Sequence, residues 1–264
     1  MKYSVCITNY NSIHGIRSSL ESLFRQLDDQ FEVVVVDNFS SDGSREVLEQ
    51  YEKLGKLRLF TEQCSRGLGR RIAVEKAEGE YVIGQVDMDE ILAPNLTQLL
   101  AIYHKYYEGY MLKSARGLFV APKTLIQKVG GFHDLNYLED KDLYARVAAV
   151  ESFRYLLFRT VARSARPKER HVRLFMQKTY DMYRDAFRIG QLPTILLKAT
   201  SKSACKKALG LFVVLCNFLS VWAGFLTHWF YPRYRNLTIN RFVATDYMTQ
   251  QHSALDHNFW ELTH

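Results

Sequence analysis

The chain has 264 residues, 47% of them hydrophobic and 24% charged, with 14 Gly, 5 Pro and 4 Cys. A chain this long and this apolar buries a substantial core, which excludes intrinsic disorder, a collagen-like repeat and a disulfide-stapled miniprotein. The formal charge of +7 is uneven: residues 1–153 hold 18 basic and 22 acidic side chains, residues 154–207 hold 14 and 3, and residues 208–264 hold 3 of each, so an anionic partner belongs to 154–207.

In chain order, residues 3–8 predict a strand, 15–27 a helix with Ile16, Leu20, Leu23 and Leu27 on one face, and 32–37 a second strand. Val33 to Val36 is an unbroken β-branched run, as expected of a central strand covered on both faces. Ser41-Asp42-Gly43-Ser44 supplies turn and cap chemistry for a helix through Tyr51. Residues 56–61 predict a third strand, 69–77 a helix, and 80–86 a fourth strand running into Asp87-Met88-Asp89. This alternation predicts an α/β fold, a mainly parallel twisted sheet sandwiched by helices. Farther on, 94–107 reads as a helix, Gly130-Gly131-Phe132 as a turn, and the acidic run 138–142 leads into a helix over 142–150.

Residues 171–189 predict a basic amphipathic helix with Val172, Met176, Thr179, Tyr183 and Phe187 in one stripe, suited to packing on its own domain or to a membrane surface. Residues 208–232 contain no Asp, Glu, Lys or Arg. At about 1.5 Å per residue that length crosses a hydrocarbon layer of about 30 Å. Lys206 and Lys207 precede it and Trp229, Phe230 and Tyr231 close it, so a single transmembrane helix is expected, with a buried or surface-lying helix as the alternative. The N-terminus lacks the apolar stretch of a signal peptide and the Lys/Arg block precedes the span, which predicts a single-pass membrane protein with its first 200 residues in the cytosol. Cys6, Cys64, Cys205 and Cys216 have no metal or disulfide spacing, so reduced thiols are expected.

Ligands of open parallel sheets bind beyond the carboxyl ends of the strands, where Asp37, Asp87 and Asp89 fall. Two aspartates one residue apart make a hard-oxygen site suited to Mn²⁺ or Mg²⁺ with phosphate or water as further ligands. Such an ion neutralises charge on a departing diphosphate, and the nearby Arg70 and Arg71 carry forks suited to phosphate oxygens. The plain alternative for the triplet is a helix cap. Asp140 can accept a proton from an attacking hydroxyl, or it can pair with Lys141 or Arg146, or place a charge at a helix N-terminus.

Five pieces then occur in order: Thr8-Asn9-Tyr10-Asn11, Val36-Asp37-Asn38-Phe39-Ser40-Ser41-Asp42-Gly43-Ser44, Arg66-Gly67-Leu68-Gly69-Arg70-Arg71, Asp87-Met88-Asp89-Glu90, and Gly130-Gly131-Phe132 with Glu139-Asp140-Lys141-Asp142-Leu143 and Arg146. Over residues 3–146 the sequence resembles the family 2 glycosyltransferases of GT-A fold, inverting enzymes that use nucleotide-sugar donors. The resemblance implies that Thr8, Asn9, Tyr10, Asn11, Asp37, Gly67, Arg70, Arg71, Asp87 and Met88 bind the nucleotide sugar and that Asp87 and Asp89 hold a divalent cation, Mn²⁺ or Mg²⁺. It further implies that Gly131, Phe132 and Glu139 line the acceptor side and that Asp140 is the catalytic base. Asn38 replaces a common second acid, Arg71 stands where an asparagine is usual, and the interval from Asp89 to Asp140 is short.

The expected organisation is a catalytic domain over 1–153, a basic membrane-proximal connector over 154–207, a transmembrane helix over 208–232 and a tail over 233–264. The expected partners are a UDP- or GDP-linked sugar donor, a lipid-linked or glycan acceptor and a membrane with anionic lipid. No nucleic acid is expected, since the basic block carries no base-reading motif, and a homo-oligomer stays open. The alternative function is a catalytically degenerate scaffold that binds nucleotide sugar at the membrane.

Overall fold

The computed structural model describes residues 1–164 together with Asp181, Arg184 and Asp185. Four strands, β1 (Tyr3–Asn9), β2 (Phe31–Asp37), β3 (Arg58–Thr61) and β4 (Tyr81–Val86), lie parallel in the order β3-β2-β1-β4. They are joined by α1 (Ile16–Phe24), α2 (Ser44–Lys53) and α3 (Arg66–Lys76). After the short β5 (Glu90–Leu92) and α4 (Leu96–Ile102), which continues into a π-helical turn at Tyr103–Tyr107, the sheet is extended by β6 (Met111–Arg116), β7 (Phe119–Pro122) and β8 (Phe153–Arg159). The seven-stranded order is β3-β2-β1-β4-β7-β6-β8, with β7 the one strand running against the others. Between β7 and β8 the chain forms α5 (Lys123–Lys128) and α6 (Glu139–Ala149), and β9 (Val161–Ser164) pairs with β5 in a separate two-stranded ribbon.

The valine run behaves as a doubly covered strand must. Val33 and Val35 pack into the core formed with α1, α2 and α4, while Val34 and Val36 pack into the opposite core with α3, α5 and α6. Because side chains alternate across a strand, an apolar run is the solution when both faces are covered by helices.

Several expected boundaries shift. The helix expected at 69–77 begins at Arg66, because Ser65 caps it by accepting from the Leu68 backbone N–H. The helix expected from 142 begins at Glu139, which puts Asp140 in its first turn. The helix expected over 94–107 is α-helical only through Ile102. The main sheet continues past the expected boundary at 153: β8 pairs parallel with β6, with a register shift after Ser114, so the first residues of the expected connector are a strand of that sheet. Among the described residues no helix is long and apolar enough to cross a membrane, and the segments 208–232 and 233–264 lie outside the described residues, as does most of the expected basic helix over 171–189.

Candidate active site

The carboxyl ends of β1, β2 and β4 open at one edge of the sheet, on either side of the point where the strand order reverses. There Asp37 is fully buried: its carboxylate accepts from Asn9 Nδ2 at 2.7 Å, from the Ser40 hydroxyl at 2.6 Å and from the Ser40 backbone N–H at 2.9 Å. Asn9, only 2% exposed, reaches Ser40 and Ser44 with the same amide group. These two expected nucleotide contacts therefore tie the β1 and β2 loops together. What they present to a ligand is the rim: Tyr10 is exposed, Phe39 is exposed in a left-handed conformation at φ 50°, and Asn11, also left-handed, accepts from the Ser41 N–H.

Of the two arginines of α3, Arg70 turns inward and Arg71 outward. Arg71 is half-exposed and pairs with Glu75 one turn along, its stem lying against Gly131. Arg70 is 5% exposed, with Nη2 at 3.4 Å from Asp87 Oδ1 and Nη1 at 3.1 Å from Glu139 Oε1. Its guanidinium lies 5.9 Å from the centre of the Phe132 ring, which itself is buried. The Nη1 ion pair lacks hydrogen-bond alignment, so among the described residues this donor is without an aligned acceptor.

Gly67 packs directly against the 133–135 loop. A Cβ added there would sit 2.0 Å from the His133 carbonyl oxygen and 3.0 Å from that of Leu135, and its N–H donates to Leu135 O at 2.8 Å. Glycine is what lets the 133–135 loop lie directly on α3. Met88 is likewise a core residue, 3% exposed, packed under the acidic turn between the two aspartates.

That turn follows β4. Its Asp87 side chain is 47% exposed, and the Glu90 N–H donates to the Asp87 carbonyl at 3.0 Å. The described residues contain no cluster of three or more His, Cys, Asp or Glu able to hold a metal alone. The donor set of Asp87 and Asp89 fits a hard divalent cation that takes its remaining ligands from phosphate and water.

On the opposite wall, Leu138 adopts φ 64° and turns the chain sharply into α6. Glu139 then points to Arg70, and burial pushes its carboxyl up to about 7, with Arg70 opposing the shift and Asp140 adding to it. Asp140 accepts from Gln85 Nε2 at 2.8 Å through Oδ2 and from the Lys141 N–H through Oδ1. Asp142 is buried under His133 and Arg146, which bond its Oδ2 at 2.7 Å each; burial would raise its pKa, but those partners hold it low.

Three participants were not anticipated. Gln85, the lone amide in an apolar strand, bridges Asp140 and Tyr144, whose hydroxyl donates to Oε1 at 2.6 Å. Lys113 of β6 is 8% exposed, donates to the carbonyls of Ser114 and Gly117 at 2.7 and 2.8 Å, and is pushed down to about 8 by burial, against the pull of Asp140, Glu90 and Asp87. Asp185, fully buried, accepts from the backbone N–H groups of Asn136 and Tyr137, each at 2.8 Å, and so pins the loop before α6. A charged or amide residue interrupting an apolar strand was the only signal for the first two.

Residues 4–116 match the model of glycosyl transferase family 2. Among curated proteins, the chain is 32% identical over 123 residues to the poly(ribitol-phosphate) β-N-acetylglucosaminyltransferase TarS of Staphylococcus aureus, covering 45% of this chain and 22% of that protein. It is 28% identical over 134 residues to the UDP-Glc:α-D-GlcNAc-diphosphoundecaprenol β-1,3-glucosyltransferase WfgD of Escherichia coli, covering 46% of this chain and 52% of that protein. The chain thus spans about a fifth to a half of the length of these relatives. Among solved structures, S. aureus TarS 1-349 in complex with UDP-GlcNAc superposes with a TM-score of 0.58 at 20% identity, over 81% of this chain and 72% of that one. The mannosyltransferase PcManGT of Pyrobaculum calidifontis, in complex with GDP-Man and Mn²⁺, superposes with a TM-score of 0.57 at 19% identity, over 92% and 85%. These likenesses establish the expected GT-A-type fold.

Proposed function

We propose that the protein, whose residues 4–116 match the model of glycosyl transferase family 2, is an inverting glycosyltransferase that moves a sugar from a nucleoside-diphosphate sugar to an acceptor hydroxyl, with Asp140 as base. The observation that carries this reading is Arg70, which contacts Asp87 of the acidic turn and Glu139 beside Asp140 and so draws the donor side and the acceptor side into one cleft.

In the reaction, Asp140 takes the proton of the acceptor hydroxyl as its oxygen bonds to the anomeric carbon. The bond from that carbon to the diphosphate oxygen breaks, its electron pair leaves with the nucleoside diphosphate, and a single displacement inverts the configuration. Arg70 orients the diphosphate and offsets its charge, as a fixed, preorganised cation can. Asp87 and Asp89 would hold Mn²⁺ or Mg²⁺, which when bound neutralises charge on the diphosphate. The nucleotide lies along Thr8 to Asn11 with Tyr10 at the rim.

The acceptor we propose is lipid-linked, a hydroxyl of a glycan carried on a polyprenyl phosphate, met at the cytosolic face of a membrane, and three features support it: the net +11 of residues 154–207, the uncharged run 208–232, and WfgD, whose named acceptor is an α-D-GlcNAc carried on diphosphoundecaprenol. Each basic residue near an anionic surface contributes about 1 kcal/mol. The test is nucleoside diphosphate release by the full chain from UDP-glucose, UDP-N-acetylglucosamine and GDP-mannose, with Mn²⁺ and a bacterial lipid extract. Release from at least one donor that depends on both additions is expected. No release from any, with intact binding of UDP or GDP, would favour the non-catalytic scaffold. Asp89→Ala should abolish the Mn²⁺ dependence of UDP or GDP binding in calorimetry.

A further inference from the structure

The end of β4 is irregular where it passes the site. β1 pairs with β4 as Val5 with Ile83 but Ile7 with Val86, so one residue of β1 faces two of β4 across this interval. The bulge falls on Gly84 and Gln85. A Cβ on Gly84 would lie 2.3 Å from the Phe119 ring, so only glycine fits beneath that ring. Gln85, next along, has φ 62°, a left-handed conformation that costs a non-glycine residue on the order of 1 kcal/mol or more and persists only where its surroundings enforce it. Bulges beside active sites commonly re-aim one side chain, and here the aim is definite. The Gln85 amide donates to Asp140 Oδ2 at 2.8 Å and its carbonyl accepts from the Tyr144 hydroxyl at 2.6 Å. The amide's orientation is forced by its partners, since an ionised carboxylate only accepts. Tyr144 in turn packs against Phe119 and Phe153, so the chain of bonds ends on a fixed ring.

We propose that Gln85 is a positioning residue for the base: the β4 bulge presents its amide to Asp140 and fixes the carboxylate's orientation. This rests on the reading of Asp140 as the base. A carboxylate held in one orientation by a hydrogen bond meets the acceptor hydroxyl in a fixed geometry, and loss of that bond lets it turn away.

The test uses the full chain with donor, Mn²⁺ and lipid extract. Gln85→Leu removes the donor to Asp140, and kcat for nucleoside diphosphate release should fall by about tenfold or more, with KM for the donor and calorimetric UDP or GDP binding unchanged. Gln85→Glu, which puts an acceptor and a like charge beside Asp140, should lower kcat further, and Tyr144→Phe, which frees the amide to turn, should lower it less. A residue that merely supports the fold would lower donor binding and folded fraction along with kcat. Unchanged kcat in both Gln85→Leu and Gln85→Glu overturns the proposal. Undiminished turnover in Asp140→Asn overturns the base assignment instead, whatever the Gln85 variants show.

Discussion

Replacing Gly67 by alanine distinguishes a loop-docking glycine from an ordinary helical one, because the two roles predict opposite signs. Gly67 lies in the first turn of α3, and Gly→Ala at an unobstructed helical position stabilises by up to about 1 kcal/mol. Here the new Cβ would sit 2.0 Å from the His133 carbonyl oxygen, against the 3.0 Å below which real contacts hardly occur. Helix and loop must therefore separate by at least about 1 Å, and both sides of the contact are backbone, with no side chain to swing aside. Overpacking of this kind costs about 1–3 kcal/mol, to which loss of the bond from Gly67 N–H to Leu135 O adds about 1 kcal/mol. For a domain of this size each kcal/mol moves the melting temperature by about 2–4 °C, so a fall of several degrees is expected. Because the displaced loop leads directly into Glu139 and Asp140, turnover should fall further than folded fraction alone explains, by up to about 10²-fold for a 1 Å misplacement. Thermal denaturation followed by circular dichroism, with nucleoside diphosphate release at a temperature where the variant is folded, measures both. A melting temperature equal to or above that of the unaltered chain would refute the docking argument.

Two other perturbations probe the same wall. The Glu139 carboxyl is pushed up to about 7 from an ordinary 4.5, so between those values the folded chain keeps a proton that the unfolded chain has lost, and stability falls as pH rises through that window. Glu139→Gln, neutral throughout, should show a smaller drop in melting temperature between about pH 5 and about pH 7.5 than the unaltered chain; parallel curves would contradict the shift. Asp185→Ala leaves the N–H groups of Asn136 and Tyr137 without their buried acceptor, a loss of about 1–3 kcal/mol for each donor stranded. Faster amide exchange confined to the 135–138 segment is expected, and protection unchanged there would show that the loop is held by something else.

The parts of the fold legible in the sequence were those where burial leaves a periodic trace. Val33 to Val36 declared a strand covered on both faces, and its neighbours followed from turn residues and helical spacing. The half of the sheet formed by β6, β7 and β8 was missed because Lys113 and Ser114 break the apolar run of β6 while being satisfied by backbone carbonyls and by Thr160. The site divides in the same way. Aspartates at strand ends announced themselves through position alone. Gly67, Met88, Asn9 and Asp37 occur in recognisable motifs, yet their surroundings show each holding the loops or the core in place. Spacing cannot report that difference, because it depends on which atoms from distant segments arrive nearby. Gln85 was silent for the same reason, its meaning residing in a bulge created by the pairing of β1 with β4.

Asp140→Asn tests the central claim most directly, since the amide keeps the side chain's shape while removing its capacity to take a proton. Measured side by side, UDP or GDP binding by calorimetry and nucleoside diphosphate release with donor, Mn²⁺ and lipid extract should separate cleanly: binding close to that of the unaltered chain, release lost. Release at the unaltered rate would contradict the account.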